Sequence, residues 1–220
     1  MRAARAVVDR LLDRAVARSG RAAEVLAGLR RENPDASPEQ VLRLLDERYV
    51  KRVARLGGAV GAVAAVPAVG TVAAGVLTAG QLGSFLNASG DYVMAAASLH
   101  GVEVDDVERR RLLLLASLLG KEGAEAVQGQ LGLGTLYWAK GALTKLPLGT
   151  VRAVNRGLTG RLLTWGVGRV GALALGRLAP FGVGAVVGFY GTRVFGRNVV
   201  EGTAQALGPV PAGFTAPLPA

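Results

Sequence analysis

His100 is the only histidine in the sequence, so it is the first candidate for acid–base catalysis. A catalytic triad would pair it with a serine such as Ser98 or Ser117 and an acid such as Asp105. No nucleophile-elbow pattern accompanies it, and its position before Gly101 is typical of a helix end, where histidine is favourable in any case. We therefore predict a structural role for His100 and a protein that is not an enzyme.

Four acidic residues precede a run of three arginines and could supply oxygen ligands to a divalent cation: Glu103, Asp105, Asp106 and Glu108. Their spacing does not match a calcium loop, and acids at a helix start also stabilise it. We predict that Asp105 and Glu108 form a capping box instead. A single histidine and no cysteine also exclude zinc sites that need two or more of these ligands. The sequence therefore predicts no metal site.

Residues 166–171 read GVGRVG, which matches the dinucleotide-binding pattern as a string. That chemistry needs a strand before the glycines and an acid about 20 residues later to bind the ribose. No alternating strand pattern precedes this run, and no acid follows before Glu201. In a chain with 32 glycines a chance match is expected, so we predict no nucleotide cofactor.

The distribution of charge is more informative than these motifs. The 220 residues carry 26 basic and 16 acidic side chains, a net charge of +10, yet half of them are apolar. Such an apolar chain is a folded one. No acid lies between Glu125 and Glu201, where the basic residues are Lys140, Lys145, Arg152, Arg156, Arg161, Arg169, Arg177, Arg193 and Arg197. Basic residues beside apolar and aromatic ones are typical of interfacial membrane helices, so we predict that these nine contact anionic lipid.

Two other interpretations of this basic segment stay open. Nucleic-acid phosphates would attract the same charges, although nucleic-acid modules usually place polar side chains between the basic ones. Here the neighbours are leucine, valine, alanine and glycine, which favours a membrane. Alternatively, the charges form only the solvated face of a helical bundle.

The elements that would position these residues are helices. No charge occurs between Arg55 and Asp91, and the run predicts two helices of about 10 to 17 residues, either buried in a soluble bundle or inserted in a bilayer. A similar Pro-started, small-residue helix occurs near the C-terminus. We predict close helix packing or turns at Gly57, Gly61, Pro67, Gly70, Pro180, Gly184 and Gly188.

The rest of the chain also follows helical patterns. Residues 1–40 predict an amphipathic helical arm, residues 41–207 a helical domain, and residues 208–220 a Pro-rich, extended tail. Ser37 and Gln40 have capping-box spacing, and Leu112 to Leu119 predict a helix buried on most sides. The fold class expected is therefore all-α, a helical bundle with Gly/Ala-rich apolar hairpins.

Taken in order, these segments resemble the EcsC family. A charged helix at 41–56 precedes the apolar hairpin, residues 100–106 read HGVEVDD, residues 179–188 read APFGVGAVVG, and residues 191–197 read GTRVFGR. The resemblance covers roughly residues 41–206. It implies a bacterial, all-helical, membrane-associated protein, and the family is named after a component encoded beside an ABC transporter linked to secretion. No catalytic residues are established for the family, so none is transferred.

The sequence thus predicts a non-enzymatic protein that binds anionic membrane lipid and inserts or self-associates through glycine-lined faces, the latter giving a homo-oligomer. The alternatives are a soluble adaptor with an apolar groove and a nucleic-acid-binding protein. Charged residues interrupt the first apolar stretch, at Asp9, Arg10, Asp13 and Arg14, so a secretory signal is not expected. The expected location is cytoplasmic, peripheral to the membrane or partly inserted in it.

Overall fold

The computed structural model describes residues 2–17, 20–64, 71–131, 137–177 and 183–214. Within these ranges every regular element is a helix and no strand occurs, which confirms the all-α prediction. In chain order the helices are α1 (Arg2–Ala17), α2 (Gly20–Glu32), α3 (Pro38–Ala64), α4 (Thr71–Leu99), α5 (Val107–Leu119), α6 (Lys121–Leu131), α7 (Ala139–Lys145), α8 (Leu148–Arg177) and α9 (Val183–Leu207).

The helices of the first hairpin are longer than the sequence suggested. We predicted apolar helices of about 10 to 17 residues, but α3 has 27 residues and α4 has 29. The charged and uncharged parts of each helix are continuous because no proline or cap separates them, and a glycine costs a helix interior only about 1 kcal/mol. Pro67 and Gly70, where we placed the turn, lie outside the described residues.

Helices α3 and α9 pack closely and run antiparallel. A Cβ on Gly196 would lie 2.7 Å from Val53 Cγ2 and 3.7 Å from Val50 Cα, so α9 has no room for a side chain there. Seven residues later, Thr203 bonds to Tyr92, whose hydroxyl also reaches Asp46 on α3. Because higher numbers on α9 meet lower numbers on α3, the C-terminal end of α3 and the N-terminal end of α9 lie at the same end of the bundle.

Helix α5 crosses the centre of the core. All residues from Leu112 to Leu119 are buried, as the leucine run predicted. The helix stops at Gly120, which has φ of 59°, a left-handed conformation that favours glycine. One core cluster joins α5 to side chains from both ends of the chain, including Leu12, Leu29 and Val199.

Two predicted caps have different outcomes. Ser37 and Gln40 form the expected capping box at the start of α3: Gln40 N donates to Ser37 Oγ at 3.3 Å, and Ser37 N donates to Gln40 Oε1 at 2.7 Å. The cap of α5 was assigned one residue too early. Asp106, not Asp105, is the N-cap, and its Oδ1 accepts from Arg109 N at 3.1 Å. Consecutive acids make this position ambiguous in sequence, because either can offer a carboxylate to the first turn.

Both ends of the chain contribute to the same core. Leu12 and Val16 of α1 and Leu29 of α2 are fully buried, and the predicted boundary after residue 40 falls inside α3. After α9, Gly208 turns the chain with φ of 81°, and residues 209–214 continue without regular structure. Phe214 packs against the core, and the guanidinium carbon of Arg30 lies 3.9 Å from its ring centroid.

Candidate functional site

A buried polar cluster connects α3, α4 and α9. The rings of Tyr49 and Tyr92 stack with centroids 4.5 Å apart. The Tyr49 hydroxyl lies 2.7 Å from Ser89 Oγ, and Tyr92 donates to Asp46 Oδ1 at 2.7 Å. Burial raises the pKa of both tyrosines, and it also raises the pKa of Asp46, against the smaller lowering effects of the Tyr92 hydrogen bond and of His100. This cluster fixes three helices with neutral tyrosines.

His100 connects the end of α4 to the end of α9. Its Nδ1 lies 2.7 Å from Ala96 O, and its Nε2 lies 3.0 Å from Gly208 O. Each ring nitrogen thus lies within hydrogen-bond distance of a main-chain carbonyl oxygen, and the ring is buried. His100 follows the last residue of α4, as predicted, and its contact with Gly208, which the sequence did not indicate, ties the chain after α9 to the core.

A polar cleft of about 310 Å³ opens between α1, α5 and α8. We call it the arginine cleft, and its lining consists entirely of polar and charged residues: Arg5, Asp9, Glu108, Arg111, Arg152, Asn155, Arg156 and Thr159. Four arginines against two acids leave this lining with an excess of positive charge. A wider, mixed-charge depression of about 610 Å³ lies between α2 and α3.

Arg111 is the most constrained of the four cleft arginines. Its side chain is 14% exposed; Nη1 donates to Asp13 Oδ1 at 2.9 Å, and Nη2 donates to Asp9 Oδ1 and, at 3.3 Å, to Thr159 Oγ1. These bonds hold α1 and α8 against α5. The Arg111 side chain is mostly buried, whereas the Asp9 and Asp13 side chains are 35% and 59% exposed, so the ion pairs tie the helices without burying the acids.

The other arginines of the cleft are bound much more loosely. Arg5 Nε lies 3.9 Å from Asp9, and Arg152 Nε lies 3.8 Å from Glu108, both too far for a hydrogen bond. Arg156 is exposed and forms no ion pair within the described part of the chain. Three guanidinium groups therefore surround the cleft without a tight acidic partner.

The nine basic residues predicted to contact lipid are distributed over three helices, α7, α8 and α9. Arg152 and Arg156 line the arginine cleft, Arg161 is exposed further along α8, and Lys140 and Lys145 are exposed on α7. Arg169 and Arg177 lie in the second half of α8, where the side chains are outside the description. The remaining two, Arg193 and Arg197, are exposed on α9.

Helix α9 presents an exposed stripe that combines positive charge with large apolar side chains. We call Tyr190, Arg193, Val194 and Arg197 the α9 basic face, since residues three and four apart share one side of a helix. Tyr190 is 60% exposed and Val194 is 55% exposed. Most apolar residues of this size would be buried, so their exposure on one stripe marks a surface of interest.

Several uncharged helix segments meet at one end of the bundle. Short links join α3 to α4 and α8 to α9, and α3 is antiparallel to α9, so the four helices turn at a common end. We define the apolar end as 56–64 of α3, 71–84 of α4 and 183–192 of α9, none of which carries a charge. Among the residues the structure describes, no helix has both the length and the apolar character needed to cross a membrane.

The glycines predicted to mediate packing are only partly described. Gly57 is buried in α3; Gly61, Gly184 and Gly188 lie in helices whose surroundings there are not described; and Pro180, like the 65–70 link, lies outside the described residues. Close helix approaches among the described glycines occur at positions that the sequence analysis did not name. A Cβ at Gly202 would meet Ser117 O at 2.5 Å, and one at Gly90 would meet Ala15 O at 2.9 Å.

Comparison with protein-family models, with curated proteins and with solved structures finds no match to this chain. The resemblance to the EcsC family therefore stays a prediction.

Sequence reasoning missed two of the four arginines of the arginine cleft. Arg5 and Arg111 lie outside the acid-free segment, in regions that we interpreted as an amphipathic arm and a helix start. The sequence did contain one indication of the cleft, which is that α8 has no acidic residue. Any acid that pairs with its arginines must therefore come from another helix. The sequence around α8 does not indicate which helices supply these acids.

Proposed function

We propose that this protein associates with membranes by dipping its apolar end into one leaflet while the α9 basic face contacts anionic headgroups. The observation that carries the proposal is the convergence of uncharged segments from α3, α4 and α9 at one end of the bundle. This convergence supports a membrane role more specifically than the net charge does, because positive charge alone would suit nucleic acid as well as anionic lipid.

The dimensions of the apolar end suit partial insertion. Nine residues of α3 follow Arg55 before the helix ends, and ten of α9 precede Arg193. At 1.5 Å per residue these segments extend about 13–15 Å, which is half of a hydrocarbon core of about 30 Å. Insertion to this depth would leave Arg55 and Arg193 near the headgroups. A hairpin that enters one leaflet needs no spanning helix.

The α9 basic face supplies the electrostatic part. Arginine near an anionic bilayer surface contributes about 1 kcal/mol, and tyrosine favours the interface because one end of its ring is apolar and the other polar. Tyr190 and Arg193 lie where α9 leaves the uncharged segment. Insertion of the apolar end would therefore bring the α9 basic face to the level of the headgroups.

Flotation with phosphatidylcholine vesicles, with and without an anionic lipid such as phosphatidylglycerol, tests the proposal. The protein should float with anionic vesicles and stay bound through a high-salt wash, since salt screens surface charge but not insertion. Replacing Arg193 and Arg197 by glutamine should weaken binding by about tenfold or more. The matched control replaces Arg43 and Arg48 by glutamine; both are exposed in the N-terminal half of α3, which does not belong to the apolar end. Absence of flotation would overturn the proposal.

Insertion depth can be measured separately because the chain contains no cysteine. A fluorophore on Ala59→Cys, exposed on the part of α3 that belongs to the apolar end, should shift to the blue and be quenched by lipid-bound quenchers. The same label on Ala153→Cys, exposed in the first half of α8, should do neither. Equal quenching at both sites, or release of the protein by salt, would contradict insertion through the apolar end.

A further inference from the structure

The arginine cleft has features that its role in holding α1 in place does not explain. Arg111 already anchors α1 through Asp9 and Asp13. Yet three more arginines, Arg5, Arg152 and Arg156, converge on the same space from two helices. None of them is needed for that anchor.

The two cleft acids are already bound by other protein donors. Asp9 accepts from Arg111, and Glu108 Oε2 accepts from Asn155 Nδ2 at 2.8 Å. Asn155 Nδ2 also donates to Glu108 O at 2.9 Å, which fixes the glutamate against α8. The two carboxylates of the cleft therefore already accept hydrogen bonds from the protein, whereas the guanidinium groups of Arg5, Arg152 and Arg156 lack a close acidic partner.

Helix α8 cannot neutralise its own arginines. Arg152 and Arg156 are four residues apart, so they share a face and repel each other. No acid occurs anywhere from Leu148 to Arg177 to offset them. A bound anion would remove this repulsion, and three guanidinium groups supply the forked donors that bind phosphate oxygens in pairs.

The cleft wall also contains polar atoms that lack a partner. Asn155 is 3% exposed, and its Oδ1 has no hydrogen-bond partner within the described residues; the same holds for the buried Arg111 Nε. Buried polar atoms are normally paired, and this cleft is lined by a residue of α8 with an unpaired acceptor and a residue of α5 with an unpaired donor, which favours a polar ligand. An acceptor beside arginines fits a phosphate whose neighbouring group carries a hydroxyl.

We propose that the arginine cleft binds a phosphate monoester, with Arg5, Arg152 and Arg156 on the phosphate oxygens and Asn155 on an adjacent hydroxyl. A volume of about 310 Å³ is at the small end of ligand pockets and suits a compact group. The phosphate could belong to a soluble metabolite or to a lipid headgroup. This proposal is independent of membrane insertion, because the cleft uses the first half of α8 and the apolar end does not include it.

Calorimetric titration of the full chain with inorganic phosphate and with glycerol 3-phosphate tests the site. Glycerol 3-phosphate should bind saturably and more tightly than phosphate, because only it offers the adjacent hydroxyl. Arg156→Gln should weaken binding by about tenfold or more, since a charge-assisted hydrogen bond is lost. Arg161→Gln, an exposed arginine of the same helix outside the cleft, should change it by less than about twofold.

A second arm identifies the source of the phosphate. If the ligand is a lipid, Arg156→Gln should weaken flotation with vesicles that contain phosphatidic acid, and glycerol 3-phosphate should compete with them. If the ligand is soluble, the variant should lose glycerol 3-phosphate binding and float normally. No saturable binding of either soluble probe up to about 10 mM, or equal losses in Arg156→Gln and Arg161→Gln, would overturn the proposal. Failure of flotation alone would affect only the membrane proposal.

Discussion

The arginines of α5 and those of α8 differ in how the fold uses them. Each arginine in the first turns of α5 is held by a defined acceptor. Arg109 Nη2 donates to Leu146 O at 3.1 Å, Arg110 Nε donates to Val104 O at 2.5 Å, and Arg111 bonds to two aspartates of α1. Arg111 thus ties α5 to α1, Arg109 ties it to the link between α7 and α8, and Arg110 fixes the turn before its own helix.

The three α8 arginines whose side chains the structure describes, Arg152, Arg156 and Arg161, have no comparable acceptors. Arg152 lies 3.8 Å from the nearest oxygen of its ion pair, and neither Arg156 nor Arg161 joins an ion pair within the described ranges. The comparison teaches that a count of positive charges says little about function. What matters is whether the fold supplies an acceptor, and α8 leaves its charges to solvent or to a ligand.

The largest expected effect tests whether α5 is the centre of the core. Leu113 is fully buried in α5, whereas Leu148 of α8 is 38% exposed. Leu113→Ala should lower the free energy of unfolding by about 2–5 kcal/mol because it opens a cavity. Leu148→Ala should lower it by less than about 1 kcal/mol. Urea denaturation followed by circular dichroism measures both, and equal losses would contradict the assignment.

Removing one arginine from each helix tests the comparison directly. Arg111→Met should lower the free energy of unfolding by about 1–3 kcal/mol, because Asp9 and Asp13 lose their partner. Arg156→Met should change it by no more than about 0.5 kcal/mol, since it breaks no ion pair. The same denaturation assay applies. A large loss in Arg156→Met would show that α8 depends on its arginines for stability.

Two glycines extend the comparison to helix packing, with opposite signs expected. Gly202→Ala should destabilise the protein by about 1–3 kcal/mol, because its Cβ would lie 2.5 Å from Ser117 O of α5. Gly157→Ala in α8 should stabilise it by about 0.5–1 kcal/mol, because no atom lies within 4 Å and alanine favours the helix. Thermal denaturation gives both shifts. Stabilisation by both substitutions would mean that α9 and α5 lie farther apart than the contact between Gly202 and Ser117 requires.

The smallest effect concerns Asp46, a half-buried acid that, like Glu108, accepts a side-chain hydrogen bond. Because burial raises the pKa of Asp46, the folded protein binds a proton there more readily than the unfolded chain. Its contribution to stability is therefore greatest below the ordinary pKa of 3.8 and falls as pH rises through the raised value. Asp46→Asn keeps an acceptor for Tyr92 and should gain less than about 1 kcal/mol at pH 7, with no gain at pH 3. A loss at pH 7 would show that the carboxylate stabilises the fold.

The fold was more predictable than the candidate site. The capping box at Ser37 and the buried leucines of α5 depend on residues within a few positions of one another, so the sequence alone indicated them. Helix lengths were less accurate, because α3 and α4 continue through glycine-rich stretches in which no proline or cap separates the charged part from the uncharged part. The cleft was not predictable as a unit, because Arg111 and Asp9 are 102 residues apart.

What the sequence determined by itself was the segregation of charge: an uncharged run before Asp91 and an acid-free run before Glu201. Local periodicity also determined that both are helical, since helix hydrogen bonds connect near neighbours. Only the tertiary structure decided which arginines of the chain receive an acidic partner and which helix ends lie together. Those outcomes depend on contacts between residues distant in sequence, such as Gly196 against Val53 and Arg111 against Asp9, which packing alone brings together.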